Sequence, residues 1–220
     1  MPGSSNQDHP EPKITFRIIR RCNFDCPGCC TFSRLNRTGA VRLEDFKKAV
    51  DILDEAGFHG ILNLSGGETT FHEDLPKLMG YASSRLPNAR IALFTNGDWI
   101  GARGWEERLE ALFAGPNVLI RLSHDRQHSE GKLLASRRGS DEMLLSQTDR
   151  ERTRQAEMFR DAMLSLGAVP GINFDFAFKG SIQEAEQYMD ALGKVPVYLI
   201  KFREDPEKRP REYGLSLIHI

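Results

Sequence analysis

Five times between Ile14 and Leu192 the sequence passes from a short run rich in β-branched and aromatic residues toward a stretch with helical spacing, and a sixth such run ends at Ile200. A chain that repeats this step is constrained to a parallel α/β fold, because right-handed crossovers lay successive strands side by side. The expected strands are Ile14–Arg20, Ile61–Leu64, Ile91–Phe94, Val118–Leu122, Ile172–Phe178 and Val195–Ile200. Between them, helical spacing covers Leu43–Ala56, Asp74–Leu86, Trp105–Phe113, Glu151–Leu166 and Glu184–Leu192. The first helix shows the logic: Leu43, Phe46, Val50, Leu53 and Ala56 share one face, and Gly57 stands where a C-cap belongs. The architecture implied is a partial (β/α)6 barrel of TIM type with parallel strands. One passage breaks the rhythm. Ser123 to about Arg150 is polar and too long for an ordinary connection, and is expected to be a functional loop or lid.

With 220 residues, 40% of them hydrophobic, the chain can bury a core as one large domain. Thirty basic residues against 31 acidic ones leave no footprint for nucleic acid. No segment approaches the roughly 20 apolar residues that span a bilayer. Residues 1–12 are polar, lack the apolar run of a secretory signal and are expected to be a disordered leader, which points to a cytoplasmic, reducing setting. Residues 13–203 form the expected core domain, and 204–214 the start of a C-terminal extension. Residues 215–220, Leu-Ser-Leu-Ile-His-Ile, are what a transposon-end library adapter encodes; they are expected to be a non-native tail on a truncated chain.

All four cysteines lie between Cys22 and Cys30. Cys22, Cys26 and Cys29 follow a Cys-x3-Cys-x2-Cys spacing that lets three thiolates converge on one inorganic centre and leaves a fourth coordination position without an obvious protein ligand. Structural zinc wants four tetrahedral ligands, normally as two separated pairs, and adjacent Cys29 and Cys30 suit that poorly. A thioredoxin-like Cys26-x2-Cys29 pair would leave Cys22 idle. An iron-sulfur cluster uses thiolates at such short spacing.

The motifs also sort by position. The cysteines follow the first expected strand, Gly66-Gly67-Glu68 the second, Thr95-Asn96-Gly97 the third and Ser123-His124-Asp125 the fourth. Sites of parallel α/β folds form at these carboxyl ends. On these residues the chain resembles the radical S-adenosylmethionine (radical SAM) superfamily, over roughly Ile14 to Ile200.

The resemblance implies a 4Fe-4S cluster held by Cys22, Cys26 and Cys29, with S-adenosylmethionine on the open iron. Gly66, Gly67 and Glu68 would receive the methionine amine, Glu68 either accepting from it or fixing the neighbouring backbone. Asn96 and Ser123 would add cofactor contacts. It further implies reductive cleavage to a 5′-deoxyadenosyl radical, an electron donor such as flavodoxin or ferredoxin, and a substrate that is a peptide or a small molecule. No catalytic side chain is assigned. The other reading of the same thiols is a non-catalytic iron-sulfur or zinc-binding module.

Further residues stand near the site. His124, Asp125 and His128 are the expected substrate contacts, and Lys179 could meet the cofactor carboxylate. Cys30 is expected to be a small buried neighbour. Many relatives carry an aromatic residue just before the third cysteine, where this chain has Gly28; Phe24 or Phe32 could take its place against the adenine.

Overall fold

The computed structural model describes residues 11–113, 115–137, 141–178, 182–193, 195–202 and 215–219. Strands β1 (Lys13–Ile19), β2 (Ile61–Gly66), β3 (Arg90–Thr95), β4 (Val118–Ser123), β5 (Phe174–Phe178) and β6 (Val197–Phe202) stand in chain order. Each pairs in parallel with the next. Helices α1 (Leu43–Glu55), α2 (Leu75–Arg85), α3 (Trp105–Leu112), α4 (Arg126–Ala135), α5 (Glu142–Ser165) and α6 (Ile182–Ala191) fill the crossovers, giving the expected partial barrel.

Alternation along the strands divides their side chains between two faces. Leu62 and Leu64, Ile91 and Leu93, Ile120 and Leu122, and Phe174 and Phe176 meet the helices in one continuous core. There Phe46 and Val50 of α1, Leu78 and Met79 of α2, and Phe159 and Met163 of α5 are buried. Each such side chain contributes about 1.5–3 kcal/mol by leaving water. The opposite face holds a small apolar patch of Ile61, Ala92 and Leu119, and above it becomes polar.

Three elements differ from the expectation. The passage from Ser123 is largely helical: α4 begins at Arg126, and α5 runs for 24 residues from Glu142. Both starts are capped by aspartates, Asp125 accepting from the His128 N–H at 3.0 Å and Asp141 from the Leu144 N–H at 2.8 Å. Good helix formers with a thin apolar stripe make these turns, which is why polarity disguised them. β5 starts at Phe174; Ile172 is 55% exposed in the preceding turn, where Asn173 N–H reaches the Val169 carbonyl. Finally, Leu215–His219 forms a strand, β7, antiparallel to β6. Pairing of this kind needs only an extended segment beside an open sheet edge, and is independent of the origin expected for these residues. The leader residues 1–10, Lys179 and residues 204–214 lie outside the described residues.

Candidate active site

The cysteine loop leaves β1 and rejoins the fold at α1. Arg20 N–H bonds the Gly39 carbonyl and Val41 N–H the Ile18 carbonyl, closing its base. Within it, Cys29 N–H reaches Cys26 O and Phe32 N–H reaches Cys29 O, each at 3.2 Å, with Gly28 at φ 66° making the turn. Phe24 and Asn96 both direct N–H groups at the Cys22 sulfur, at 3.4 and 3.9 Å. The Cys29 sulfur lies 3.2 Å from Thr31 Oγ1, which donates to the Gly66 carbonyl at 2.9 Å.

Gly66 and Gly67 have an immediate packing reason. A Cβ on Gly66 would stand 2.1 Å from the Ile19 carbonyl oxygen, and one on Gly67 1.9 Å from that of Arg21. Their bareness lets the end of β2 bond the mouth of the cysteine loop, through Gly67 N–H to Ile19 O and Glu68 N–H to Arg21 O. Glu68 is 2% exposed and spends both carboxylate oxygens on protein. Oε1 accepts from the Thr70 N–H and the Thr70 and Thr95 hydroxyls, Oε2 from the Asn96 N–H at 2.7 Å. Of its two expected roles, the geometry carries the fixing of neighbouring backbone. Burial raises its carboxyl above the ordinary value, against the pull of these donors.

Asn96 is a second tie, its Nδ2 donating to Asn23 Oδ1 at 2.8 Å and its Oδ1 accepting from Asp98 N–H. Asn23 Nδ2 in turn donates to Asp98 at 2.8 Å, and Lys132 of α4 pairs with the same carboxylate at 2.7 Å. Ser123 is half-buried at the end of β4, and its carbonyl accepts from Arg152 Nη2 at 2.6 Å. The other Arg152 terminal nitrogen bonds the Asn96 carbonyl, and the guanidinium lies 5.3 Å from the Phe24 ring centroid. One buried cation thus joins the cysteine loop, the β3 end and the β4 end. Sequence reasoning missed Arg152, yet a signal existed: it occupies a core position in the α5 series Leu145, Thr148, Arg152, Ala156, Phe159, Met163.

His124 and Asp125 are each 2% exposed beneath α4, so the expected substrate contacts are buried fixtures. His128 Nδ1 lies 2.9 Å from Asp125 Oδ2, close enough for charge attraction without the direction of a hydrogen bond. Cys30 is exposed rather than buried, its carbonyl accepting from Arg17. Phe24 is buried against Arg152, whereas Phe32 is 75% exposed at φ 50°.

Burial, followed by Arg152, lowers His124 to about 3. An unfolded histidine near 6.5 takes up a proton that the folded one refuses, so this contribution is complete above about pH 6.5 and is lost as pH falls toward 3. Between about pH 7 and pH 5 it removes about 2 kcal/mol of stability. Urea denaturation at the two pH values should show His124→Gln losing less than the parent by that amount.

α4 is pressed onto the cysteine loop. Asp25 N–H bonds the Gly131 carbonyl at 3.0 Å, and a Cβ on Gly131 would stand 2.5 Å from Cys26 Sγ and 2.7 Å from its Cα. Gly131→Ala should therefore destabilise the chain by about 1–3 kcal/mol through overpacking. Gly80→Ala in α2, where nothing lies within 4 Å, should instead stabilise it by about 0.5–1 kcal/mol. Thermal melts of the two variants check the contrast.

Burial, helped by Glu68 and Cys29, pushes the Cys22 thiol up to about 11, and burial, helped by Cys22 and Cys29, pushes the Cys26 thiol up to about 12. Among the described residues, no three His, Cys, Asp or Glu side chains are drawn together as for a single ion. A four-iron cluster asks for something else, since it takes each thiolate on a different iron. Three soft donors on one backbone-fixed loop, close enough that Cys29 raises the thiols of both Cys22 and Cys26, fit such a group; bound metal would hold them as thiolates.

Fold and site together define a parallel partial-barrel protein whose strand ends converge on a three-cysteine loop. The sequence profile described as the radical SAM superfamily matches residues 16–171, more than half of the chain, and the chain belongs to that family of enzymes. The antilisterial bacteriocin subtilosin biosynthesis protein AlbA of Bacillus subtilis is 29% identical over 131 residues, 58% of this chain and 27% of its own length. Fe-coproporphyrin III synthase of Methanosarcina barkeri is 34% identical over 91 residues, 41% of this chain and 22% of its own length. The PqqA peptide cyclase of Bradyrhizobium diazoefficiens is 32% identical over 84 residues, 38% of this chain and 20% of its own length. These matches therefore span about a quarter or less of the curated relatives. Among solved structures, native anSMEcpe with bound AdoMet and peptide superposes with a TM-score of 0.55 at 20% identity, covering 92% of this chain and 54% of that one. Streptococcus suis SuiB gives 0.54 at 16% identity, covering 92% and 42%. At these identities the likeness is one of fold. No helix among the described residues is long and apolar enough to cross a membrane.

Proposed function

We propose that this chain is the catalytic core of a radical SAM enzyme that holds a 4Fe-4S cluster on Cys22, Cys26 and Cys29. When bound, the cluster supplies the electron that cleaves S-adenosylmethionine to a 5′-deoxyadenosyl radical, which takes a hydrogen atom from substrate. The observation that carries this reading is the meeting of the cysteine loop with the ends of β2, β3 and β4 through Gly67, Glu68, Asn96 and Arg152.

The chain's own residues do the orienting. The backbone at Gly66 and Gly67 lines the entry where the methionine amine would be received, with Asn96 and Ser123 beside it. Glu68 acts one step back, fixing the strand ends by its four bonds. The buried layer of Arg152, Phe24 and α4 keeps water from the loop's inner side. A reduced flavodoxin or ferredoxin is the electron source in this reading. Because AlbA and the PqqA peptide cyclase are named for peptide products or substrates, a peptide is the favoured substrate class, with a small molecule as the other.

Anaerobic reconstitution tests the proposal. It should give about four irons per chain and, with dithionite, convert S-adenosylmethionine to 5′-deoxyadenosine and methionine. Tight zinc binding without cleavage would favour a structural or redox module instead.

A further inference from the structure

The register of the sheet places five side chains in one row across its inner face. Arg17 pairs with Ser65, Phe94 with Arg121, and Arg121 with Asp175; continuing the β2–β3 register by one residue sets Ser65 beside Phe94. Asn96 and Ser123 lie two residues further along the same face of β3 and β4, about 7 Å higher. The row is therefore the floor beneath the strand ends where the proposed cofactor site lies.

This floor is chemically uneven. Arg121 and Asp175 are buried and bonded to each other twice, Nε to Oδ1 at 2.7 Å and Nη2 to Oδ2 at 2.6 Å. That pair is neutral and geometrically satisfied, with the Arg121 guanidinium 5.1 Å from the Phe94 ring centroid. Arg17, at the other end, is exposed and forms no ion pair among the described residues. One of its five N–H groups donates, at 3.3 Å, to the Cys30 carbonyl. Two arginines against one aspartate leave the row with one net positive charge. One step deeper, Asn63 Nδ2 donates to Thr15 Oγ1 at 3.3 Å while Asn63 Oδ1 is buried without a hydrogen-bond partner. A buried acceptor without a donor marks a layer incomplete by itself.

We propose that this floor seats a carboxylate of the substrate, with Arg17 as the pairing cation and Ser65 and the Phe94 ring beside it. The inference rests on the radical SAM reading and gives its substrate a chemical class. A planar monoanion matches a guanidinium fork and the single net charge; a phosphate dianion would leave one charge uncompensated. Arg121 is held away from this task by Asp175, so specificity falls to Arg17.

The test uses the reconstituted 220-residue chain and acetyl-Gly-Glu-Gly-amide as probe, against its glutamine counterpart, by isothermal titration. The glutamate probe should bind about tenfold more tightly, the worth of a charge-assisted pair. Arg17→Gln should bring the two probes within about twofold, Arg17→Lys should restore part of the preference, and the exposed Arg37→Gln should keep it whole. Glutaramic acid, a small molecule of the same charge, separates the sources. Tighter binding of the tripeptide places the carboxylate on a peptide, and tighter binding of glutaramic acid places it on a small molecule; either supports the site. Equal affinity for the glutamate and glutamine probes, or a preference that Arg17→Gln retains, overturns it. Iron content and cofactor cleavage of the wild-type preparation are read separately, so a chain that assembles no cluster refutes the proposed function without deciding the titration.

Discussion

Cys26→Ala protein, reconstituted anaerobically beside the parent, is expected to lose iron and S-adenosylmethionine cleavage together, by at least about tenfold each. Cys26 is the middle one of the three proposed donors, packed under Gly131, and Cys22 and Cys29 both help to raise its thiol after burial. Two remaining thiolates cannot hold three irons of a four-iron group. Cys30→Ala is the matched control: it removes an exposed thiol next door, and both readouts should survive. Iron and sulfide analysis with the visible absorption of the cluster measure the first effect, and product chromatography the second. A Cys26→Ala protein that keeps its cluster would overturn the ligand assignment, and a Cys30→Ala protein that loses it would add a donor the spacing did not assign.

The contrast between these adjacent thiols shows where the sequence is legible. Spacing and placement after a strand single out Cys22, Cys26 and Cys29 as the proposed ligands, because ligand chemistry demands particular residues at particular intervals. The barrel was equally readable, since Ile61–Leu64, Ile91–Phe94 and Val118–Leu122 are apolar but for Asn63 and Arg121, and the helices between carry regular stripes. Burial of single residues was not readable: Cys30 is exposed, and His124 is covered just ahead of the helix that follows β4. That helix was obscured because α4 offers few apolar residues, Leu133 being buried and Leu134 40% exposed. Its decisive contact comes from a residue with no side chain, Gly131 against Cys26. Arg152 was hidden for a related reason. Its value lies in three partners far apart in sequence, Phe24, Asn96 and Ser123, and periodicity within α5 says only that the position faces inward.

Glu68→Ala is expected to have the largest effect on stability of any single change at the strand ends, a loss of about 3–5 kcal/mol. The substitution leaves the Thr70 N–H, the Asn96 N–H and two threonine hydroxyls without their acceptor in a site closed to water. Thr95 Oγ1 also accepts from the Trp99 indole at 2.9 Å, so the buried tryptophan reports the event by its fluorescence during urea unfolding. Glu68→Gln preserves shape and one acceptor oxygen but turns an amide toward groups that are themselves donors. It should cost about 1–3 kcal/mol. The pair of variants separates the two roles open to this carboxylate. If Glu68 works by holding β2 against β3, loss of S-adenosylmethionine binding will follow loss of stability across the two substitutions, because Asn96 and the cysteine loop move with the clamp. A Glu68→Gln protein that unfolds like the parent yet fails to bind S-adenosylmethionine would reverse that order, and would mean that the carboxylate turns from Thr95 and Asn96 to meet the cofactor directly.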